Sequence, residues 1–231
     1  MSNSLELSDE AFDPLALRAE IEAAFDLRFD DQDATSLHTM GDLHTAVLHH
    51  IGDPHGDRSL TELALARLQR ALVTIAPNAG ADTLLTALPA RTPRALFATL
   101  AAGSGLRLPP LPIGPLTGLS GIISMALFVI IPVMLLADAS PRLITVVGLV
   151  LLAAIWPLQR LDPLRYPAAC VTLGDLARLV AAHNAATLAR EGGRLDADSV
   201  WQALLDLVGT HTLTNVSDID RDTTILRRAM A

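Results

Sequence analysis

The sequence has no lysine, few aromatic residues and a single cysteine. All 17 basic residues are arginines, aromatic residues make up 3% of the 231 positions, and hydrophobic residues make up 51%. The apolar excess consists of alanine, leucine and valine, a composition that favours helices over sheets. The lone Cys170 excludes an internal disulfide framework, so the cysteine content is compatible with a reducing compartment.

Sorting and catalytic motifs are lacking as well. The first residues contain neither a basic segment nor an apolar segment, so we do not expect a cleaved signal peptide. The sequence contains no phosphate-binding loop, no GxSxG elbow, no HExxH and no GxGxxG. We therefore expect a protein that is not an enzyme and that needs no cofactor.

The net charge of −8 is unevenly distributed along the chain. Residues 1–60 contain 13 acidic and three basic residues, and the rest of the chain is slightly basic. An acidic surface repels nucleic acid and favours protein partners that carry a basic patch. The charge pattern therefore predicts a protein partner and no nucleic-acid partner.

One stretch is long and apolar enough to span a bilayer. Residues 116–137 are 22 uncharged, mainly apolar residues, close to the roughly 20 that a spanning helix needs. A charged turn at 138–142 separates them from a second apolar run at 143–158. The sequence therefore predicts a transmembrane helical hairpin over 114–160, with a buried hairpin in a soluble core as the alternative interpretation.

Arginines around the hairpin predict its orientation. Arg107, Arg160 and Arg165 flank the apolar segment, whereas the turn has only Arg142, offset by Asp138. The positive-inside rule then places both flanks in the cytoplasm. We expect a two-pass protein of the inner (cytoplasmic) membrane with both termini cytoplasmic and with the lipid bilayer as one partner.

The flanks of the hairpin contain an internal repeat. Thr39-Met-Gly-Asp-Leu43 and Thr172-Leu-Gly-Asp-Leu176, here called the TxGDL segments, lie 133 residues apart. In each segment the threonine is a natural N-cap and the aspartate stands at N3, where its carboxylate bonds back to the cap. Each segment therefore predicts the start of a helix.

Each TxGDL helix is expected to lie between two other helices. In the first copy a helix ending at Phe25 precedes it, and a capping box over Ser59–Glu62 opens the next helix. In the second copy a helix over about 93–102 precedes the hairpin, and a helix capped by Asp198 or Ser199 follows the TxGDL helix. Helical spacing places these residues in the core of the first unit: Leu17, Ile21, Phe25, Leu43, Val47, Leu68 and Leu72.

The sequence thus predicts an all-α protein made of two small related units. The first unit covers 8–90, the first helix of the second unit 91–110, the hairpin 114–160, and the remainder of the second unit 163–231. Whether each unit closes on itself, exchanges helices within the chain or exchanges them in a homo-oligomer stays open.

Several segments share the pattern of one helical carrier family. Residues 10–25 match its second helix, and 39–43 match the T-V-G-D-L start of its last helix. Residues 201–226 match its first helix and its I-x-x-D-T-x-L loop, and Asp82–Leu85 is similar to Asp222–Leu226. These segments resemble the acyl carrier proteins in a circularly permuted order, which the proximity of domain termini permits.

The resemblance implies a phosphopantetheine arm on the serine of D-S-L, but the residues here depart from that motif. Ala11 stands at the serine position of the first unit, and residues 91–93 at that of the second. Alanine has no hydroxyl, so the units are expected to be degenerate carriers. Leu195-Asp-Ala-Asp-Ser199 resembles L-G-x-D-S-L, which makes Ser199 the alternative attachment site. We favour Ser199 as a helix cap.

Two functions follow from this pattern. The leading hypothesis is a non-enzymatic, membrane-anchored adaptor that offers an acidic helix to a partner enzyme, for example one of acyl or lipid metabolism. The alternative is an active membrane-tethered acyl carrier that uses Ser199. The segment 49–57 is rich in histidine and aspartate, and we interpret it as a solvated helix end, so no metal site is expected.

Overall fold

The protein is mainly helical, as the sequence predicts. The computed structural model describes residues 12–30, 37–52, 56–90, 92–112, 166–167, 169–212 and 215–225, together with isolated positions between 121 and 153. The helices are α1 Pro14–Phe25, α2 Met40–Ile51, α3 Leu60–Leu72, α4 Pro93–Ser104, α5 Leu173–His183, α6 Ala185–Arg190 and α7 Ala197–His211. Two short strands, β1 Arg58–Ser59 and β2 Gly193–Arg194, and two 3-10 turns, Leu85–Ala87 and Val216–Asp218, complete the described elements.

The chain divides into two compact units. One comprises residues 1–91, 95–109 and 168–231, and the other comprises 92–94 and 110–167. The first unit therefore combines segments that precede and follow the predicted membrane hairpin, and every contact discussed below lies within it.

The predicted hairpin over 114–160 lies outside the described residues, apart from isolated positions. At four of those positions a large apolar side chain is exposed: Ile122, Met125, Val129 and Leu149. Among the helices in the described part of the chain, none combines the length and the hydrophobicity that crossing a membrane requires.

The two TxGDL segments form the same helix start. The Asp42 backbone N–H donates to the Thr39 hydroxyl at 3.1 Å, and the Thr39 N–H donates to the Asp42 carboxylate at 2.9 Å. Thr172 and Asp175 repeat both bonds at the same distances. Each box satisfies N–H groups that a helix start otherwise leaves without a partner. The two predicted capping boxes are confirmed.

The helices do not group at residue 90, where the sequence-based bounds separate 8–90 from the second unit. Helix α3 packs against α5, and α7 packs against α5 as well as against α1 and α2. The third helix of the first predicted unit therefore packs against the TxGDL helix of the second, whereas the third helix of the second unit contacts both TxGDL helices. The sequence pattern does not separate these arrangements, because the apolar faces of α3 and α7 could pack against either TxGDL helix. Only the packing of the folded chain decides between them.

Backbone hydrogen bonds repeat this exchange. The N–H groups of Met40 and Gly41 donate to the carbonyls of Thr223 and Arg221, at 2.9 and 2.8 Å. In the other copy, the N–H groups of Leu173 and Gly174 donate to the carbonyls of Thr83 and Ala81, both at 2.8 Å. We call residues 81–85 and 221–226 the D-T loops. Each D-T loop thus binds the first turn of the TxGDL helix that belongs to the other sequence copy.

The close approach of these loops explains the glycine in TxGDL. A Cβ atom on Gly41 would lie 2.9 Å from the carbonyl oxygen of Arg221, and one on Gly174 would lie 3.1 Å from that of Ala81. Both distances are shorter than ordinary van der Waals contacts. Glycine is therefore required by a tertiary contact and not by the conformation of the helix itself.

The chain crosses from α2 to α3 and from α6 to α7 through two short strands that lie side by side. Arg58–Ser59 pairs in parallel with Gly193–Arg194. Just before β1, Gly56 has a φ of +99°, and a Cβ there would lie 2.5 Å from the carbonyl oxygen of Gly192. Because L residues avoid positive φ and this backbone contact leaves no space, the crossing requires glycine at position 56.

The core contains all seven residues predicted for it. Leu17, Ile21, Phe25, Leu43, Val47, Leu68 and Leu72 are each at most 5% exposed. Ile75, three residues after Leu72, is 38% exposed because α3 ends at Leu72. The helical period therefore predicted the buried face, and the end of α3 limited its length.

Candidate functional site

Ser199 is the candidate attachment residue whose position the structure gives. It is not the N-cap of α7. That role belongs to Asp196, and Ser199 stands three residues into the helix. The Ser199 hydroxyl lies 2.6 Å from the Asp196 carboxylate and accepts the Asp196 backbone N–H at 2.8 Å. The predicted cap at Ser199 or Asp198 is therefore wrong by two to three residues, because the preceding turn brings the Asp196 side chain to the free N–H groups.

Ala11, the degenerate carrier position of the first unit, lies outside the described residues.

Ser199 borders a cleft of about 310 Å³ between the first turns of α3 and α7 and the middle of α5. Four of the five charged side chains that line it form two ion pairs. Arg178 Nε lies 3.3 Å from Asp206 Oδ2, and Arg194 Nε lies 3.2 Å from Asp196 Oδ2. Burial raises the pKa of Asp206, although Arg178 opposes this shift. The cleft thus presents two ion pairs, the exposed carboxylate of Asp198 and a half-buried hydroxyl.

The chemistry available to Ser199 in this cleft is limited. No histidine is among the residues that line it, whereas a nucleophilic serine needs an adjacent general base. The Asp196 carboxylate bonded to the hydroxyl has a pKa below its usual range, first because of the Ser199 hydroxyl and backbone bonds. A carboxylate of low pKa is a weak base, so the arrangement fits helix capping better than nucleophilic catalysis.

Cys170 is buried and carries no sign of reactivity. The side chain is 4% exposed. Burial, reinforced by the carboxylates of Asp175 and Asp206, raises the pKa of the thiol to about 12. Because the thiolate is the nucleophilic form, a protonated buried thiol acts as a small apolar side chain.

Two carboxylates of α1 and of the residue after it are engaged within the protein. Glu22 bonds the Arg18 guanidinium at 3.0 Å and accepts the Phe29 backbone N–H at 3.1 Å. Asp26, which follows the helix, pairs with Arg190 of α6. The charges of Glu22 and Asp26 are therefore compensated by internal partners.

Glu20 is the centre of a cluster that the spacing of residues along the chain does not predict. Its Oε1 lies 2.6 Å from Nε2 of His183 on α5, and its Oε2 bonds Nε2 of His211 on α7. The His183 side chain is 7% exposed and that of Glu20 is 22% exposed. Burial raises the pKa of Glu20, but hydrogen bonds and charges from both histidines outweigh burial and lower it to about 2.

Sequence inspection missed this cluster because its members are far apart in the chain. Glu20 and His183 come from helices that the sequence-based bounds assign to different units. The only local signal is the apolar sequence around His183, whose neighbours Ala181, Ala182 and Ala185 are buried. A polar side chain at such a position requires a partner, but the pattern does not identify it.

Asn184 holds the segment that leads toward the apolar stretch. Its side-chain oxygen accepts the Arg107 backbone N–H at 2.9 Å, and its amide donates to the Arg107 carbonyl at 2.8 Å. The same amide donates to the Val180 carbonyl at 2.7 Å. Residue 107, which precedes the predicted hairpin, is therefore fixed to the end of α5, which follows it.

Metal ligands are not assembled in the part of the chain that the structure describes, where no group of three or more histidine, cysteine or acidic side chains is placed to hold an ion. In the histidine-rich segment 49–57, His50 Nδ1 lies 2.9 Å from the Ala46 carbonyl of its own helix. Residues 53–55 of that segment lie outside the description.

Comparison of the chain with protein-family models, with curated proteins and with solved structures finds no match in any of the three.

Proposed function

We propose that this protein is a non-enzymatic, membrane-anchored adaptor whose helical unit docks a partner protein at the cytoplasmic face. Residues 114–160 serve as a two-pass anchor in the inner membrane. The observation that supports this best is the closure of one compact unit across the apolar segment. The Leu173 N–H donates to the Thr83 carbonyl, and Asn184 binds Arg107.

Closure of that kind constrains how the apolar segment can cross a bilayer. Thr83 and Arg107 precede residues 110–167, whereas Leu173 and Asn184 follow them. Side chains and backbone groups that bond directly must lie on the same side of a membrane. An inserted segment therefore crosses an even number of times, which agrees with a hairpin and not with a single span. The flanking arginines then favour the cytoplasmic side.

The arrangement of helices also supports a carrier-like ancestry. The elements α3, its D-T loop, α4 and α5 follow the order of an acyl carrier protein from first to last helix. The elements α7, its D-T loop, α1 and α2 follow the same order only when the chain is read as a permutation. Each group contains one D-T loop bound to one TxGDL turn. We propose two degenerate carrier-like modules without a cofactor.

The partner is expected to carry a basic patch. Because Glu20, Glu22 and Asp26 have internal partners, we assign docking to the exposed Asp57 and Glu62 beside the start of α3. A patch of this size gives modest affinity by itself and mainly orients the partner. The bilayer anchor would raise the effective concentration of the partner.

A crosslinking pull-down from native membranes tests the adaptor function. Asp57→Arg combined with Glu62→Arg should remove the captured partner, whereas the matched reversal of the exposed Asp82 should retain it. Capture of no enzyme of acyl or lipid metabolism would count against the proposed pathway. Equal loss in the Asp82→Arg control would count against the docking surface.

Cysteine labelling in intact cells tests the anchor. In a Cys170→Ala background, Ser140→Cys in the predicted turn should react with an impermeant maleimide. Ala197→Cys at the exposed start of α7 should react only after the cells are opened. Labelling of both positions from outside would contradict the orientation, and labelling of neither would contradict the membrane crossing.

The second candidate is an active carrier modified at Ser199, which the position of its hydroxyl at the cleft favours. Modification would require the bonds to Asp196 to break first. Incubation of the full chain with a phosphopantetheinyl transferase and coenzyme A, followed by intact-mass analysis, decides between the two functions. A mass gain that disappears in Ser199→Ala and persists in Ser217→Ala would replace the adaptor by the carrier.

A further inference from the structure

His183 is placed so that both of its ring nitrogens face acceptors. Nδ1 lies 2.8 Å from the carbonyl oxygen of Leu179, and Nε2 lies 2.6 Å from Oε1 of Glu20. A neutral imidazole carries one N–H, and an imidazolium carries two. Within the described residues Nε2 makes no hydrogen bond and meets Glu20 as an ion pair, so only the protonated ring attracts that carboxylate by its charge. Loss of its proton leaves a buried nitrogen lone pair facing an oxygen lone pair.

His211 connects the carboxylate of Glu20 to a third helix. Its Nε2 bonds the second oxygen of Glu20, and its side chain is 20% exposed. One carboxylate of α1 is therefore shared between imidazoles of α5 and α7. Because Glu20 is ionised throughout the neutral range, the charge of the histidines decides whether the three groups attract one another.

The surrounding charges do not replace Glu20 as a partner of the rings. Those nearest the cluster are Arg178 on α5, Asp206 on α7, Asp26 after α1, Arg107 before the apolar segment and Arg190 on α6. Asp206 attracts the His183 charge but is paired with Arg178, and Asp26 is paired with Arg190. Glu20 is thus the carboxylate in direct contact with both imidazoles.

We propose that Glu20, His183 and His211 form a proton-dependent latch that fixes α1 to α5 and α7. With both imidazoles protonated, the carboxylate joins three helices. As the imidazoles lose their protons, the joint weakens and α1 separates more readily from the unit. This device does not depend on the adaptor function and can be tested without it.

Hydrogen exchange measured by mass spectrometry on the full chain in detergent tests the latch. After correction for the intrinsic pH dependence, amides of α1 should exchange several-fold faster near pH 8.5 than near pH 5.5. Amides of α3, which packs on α5 but contributes no residue to the cluster, should change much less. An α1 exchange rate independent of pH would overturn the proposal.

Variants separate the latch from a general effect of pH. Glu20→Gln should give fast α1 exchange at both pH values and remove the pH dependence, and His211→Gln should reduce it. The control His49→Gln alters an exposed histidine of α2 and should leave the dependence unchanged. Nitrogen-15 spectra of the rings give an independent readout. A neutral His183 at about pH 5.5 would contradict the latch, as would a wild-type pH dependence in Glu20→Gln.

Discussion

The two TxGDL helices end in equivalent histidines that have different environments. His50 and His183 are separated by the repeat offset, and each ring places Nδ1 2.8–2.9 Å from a carbonyl one turn earlier in its own helix. His50 is exposed and lies edge-on to Phe29, with ring centroids 6.0 Å apart. His183 is 7% exposed and meets Glu20. The local structure is the same, and the tertiary neighbours differ.

This difference shows how a repeat gains a specialised site. The repeated sequence reproduces the cap, the helix and the bond from ring to backbone in both copies. The exchange of α3 and α7 between the copies then gives each helix end different neighbours. Only the second copy places its histidine against a carboxylate of α1. Local sequence therefore determines the cap and the helix that both copies share, and tertiary packing determines which histidine meets a carboxylate.

The largest effect is expected where the chain crosses between the copies. Gly56→Ala combines a positive φ with a Cβ 2.5 Å from the Gly192 carbonyl oxygen and should lower the free energy of unfolding by about 3 kcal/mol or more. Gly52→Ala also has a positive φ but meets nothing within 4 Å, so strain alone should cost about 1 kcal/mol. Denaturant unfolding in detergent, followed by circular dichroism, measures both. Equal losses would show that the crossing is not tightly packed.

The next effect concerns the carboxylate that distinguishes the two histidines. Glu20→Gln should lower the free energy of unfolding near neutral pH by about 2 kcal/mol, because a lowered pKa measures stabilisation of the charged form. The pKa falls from 4.5 to about 2 on folding. On the acid side, the stabilisation is therefore present down to pH 4.5 and is lost as the pH falls toward 2.

Unfolding midpoints measured across this acid range check the prediction. Wild type should lose this part of its stability between pH 4.5 and 2, and Glu20→Gln should lack that component. Glu62→Gln, at an exposed position of α3, serves as the control and should follow the wild type. Acid curves of the same shape for wild type and Glu20→Gln would exclude the ion cluster as a source of stability.

Substitution of the two TxGDL glycines tests whether the D-T loops bind both copies equally. Gly41→Ala and Gly174→Ala should each cost about 1–3 kcal/mol, because the added methyl group meets backbone oxygen. Gly41→Ala should cost more, since its contact is 2.9 Å against 3.1 Å. Gly80→Ala, which meets nothing within 4 Å, is the matched control. Thermal unfolding that ranked Gly80→Ala with the other two would contradict the exchanged loops.

The smallest effect is expected at the caps, where the two copies agree. Thr39→Ala and Thr172→Ala each remove one N-cap bond and should cost about 1 kcal/mol. The Thr172 hydroxyl also lies 2.9 Å from the Asp175 carboxylate, so its loss should be slightly larger. Thr39→Ser and Thr172→Ser should retain nearly full stability. A cost at one position and none at the other would show that the caps are not equivalent.

The features predicted from sequence were those that depend on neighbours within one or two turns. The capping boxes at Thr39 and Thr172 and the buried face of α1 follow from spacing alone. At Ser59 the start of α3 was predicted correctly, but its side chain makes no capping bond. At the start of α7 the N-cap is Asp196 and not Ser199. Short polar side chains compete for the same N–H groups, and sequence does not rank them.

The candidate sites were less accessible to prediction because they join distant segments. The cleft beside Ser199 forms between α3, α5 and α7, and the Glu20 cluster joins α1, α5 and α7. A pairing of residues more than 160 positions apart leaves no periodic signal. Only the buried polar character of His183 indicates that such a partner exists.

By itself, the sequence determined the helical class, the two capped TxGDL helices and the apolar faces that form the core. These follow from backbone donors at helix starts and from the 3.6-residue period, which act over a few residues. The tertiary structure decided which helix completes which copy, why glycine follows the cap, and which histidine meets a carboxylate. Each of these depends on close contacts between segments remote in the chain, where shape and unpaired polar groups select among alternatives that share one hydrophobic pattern.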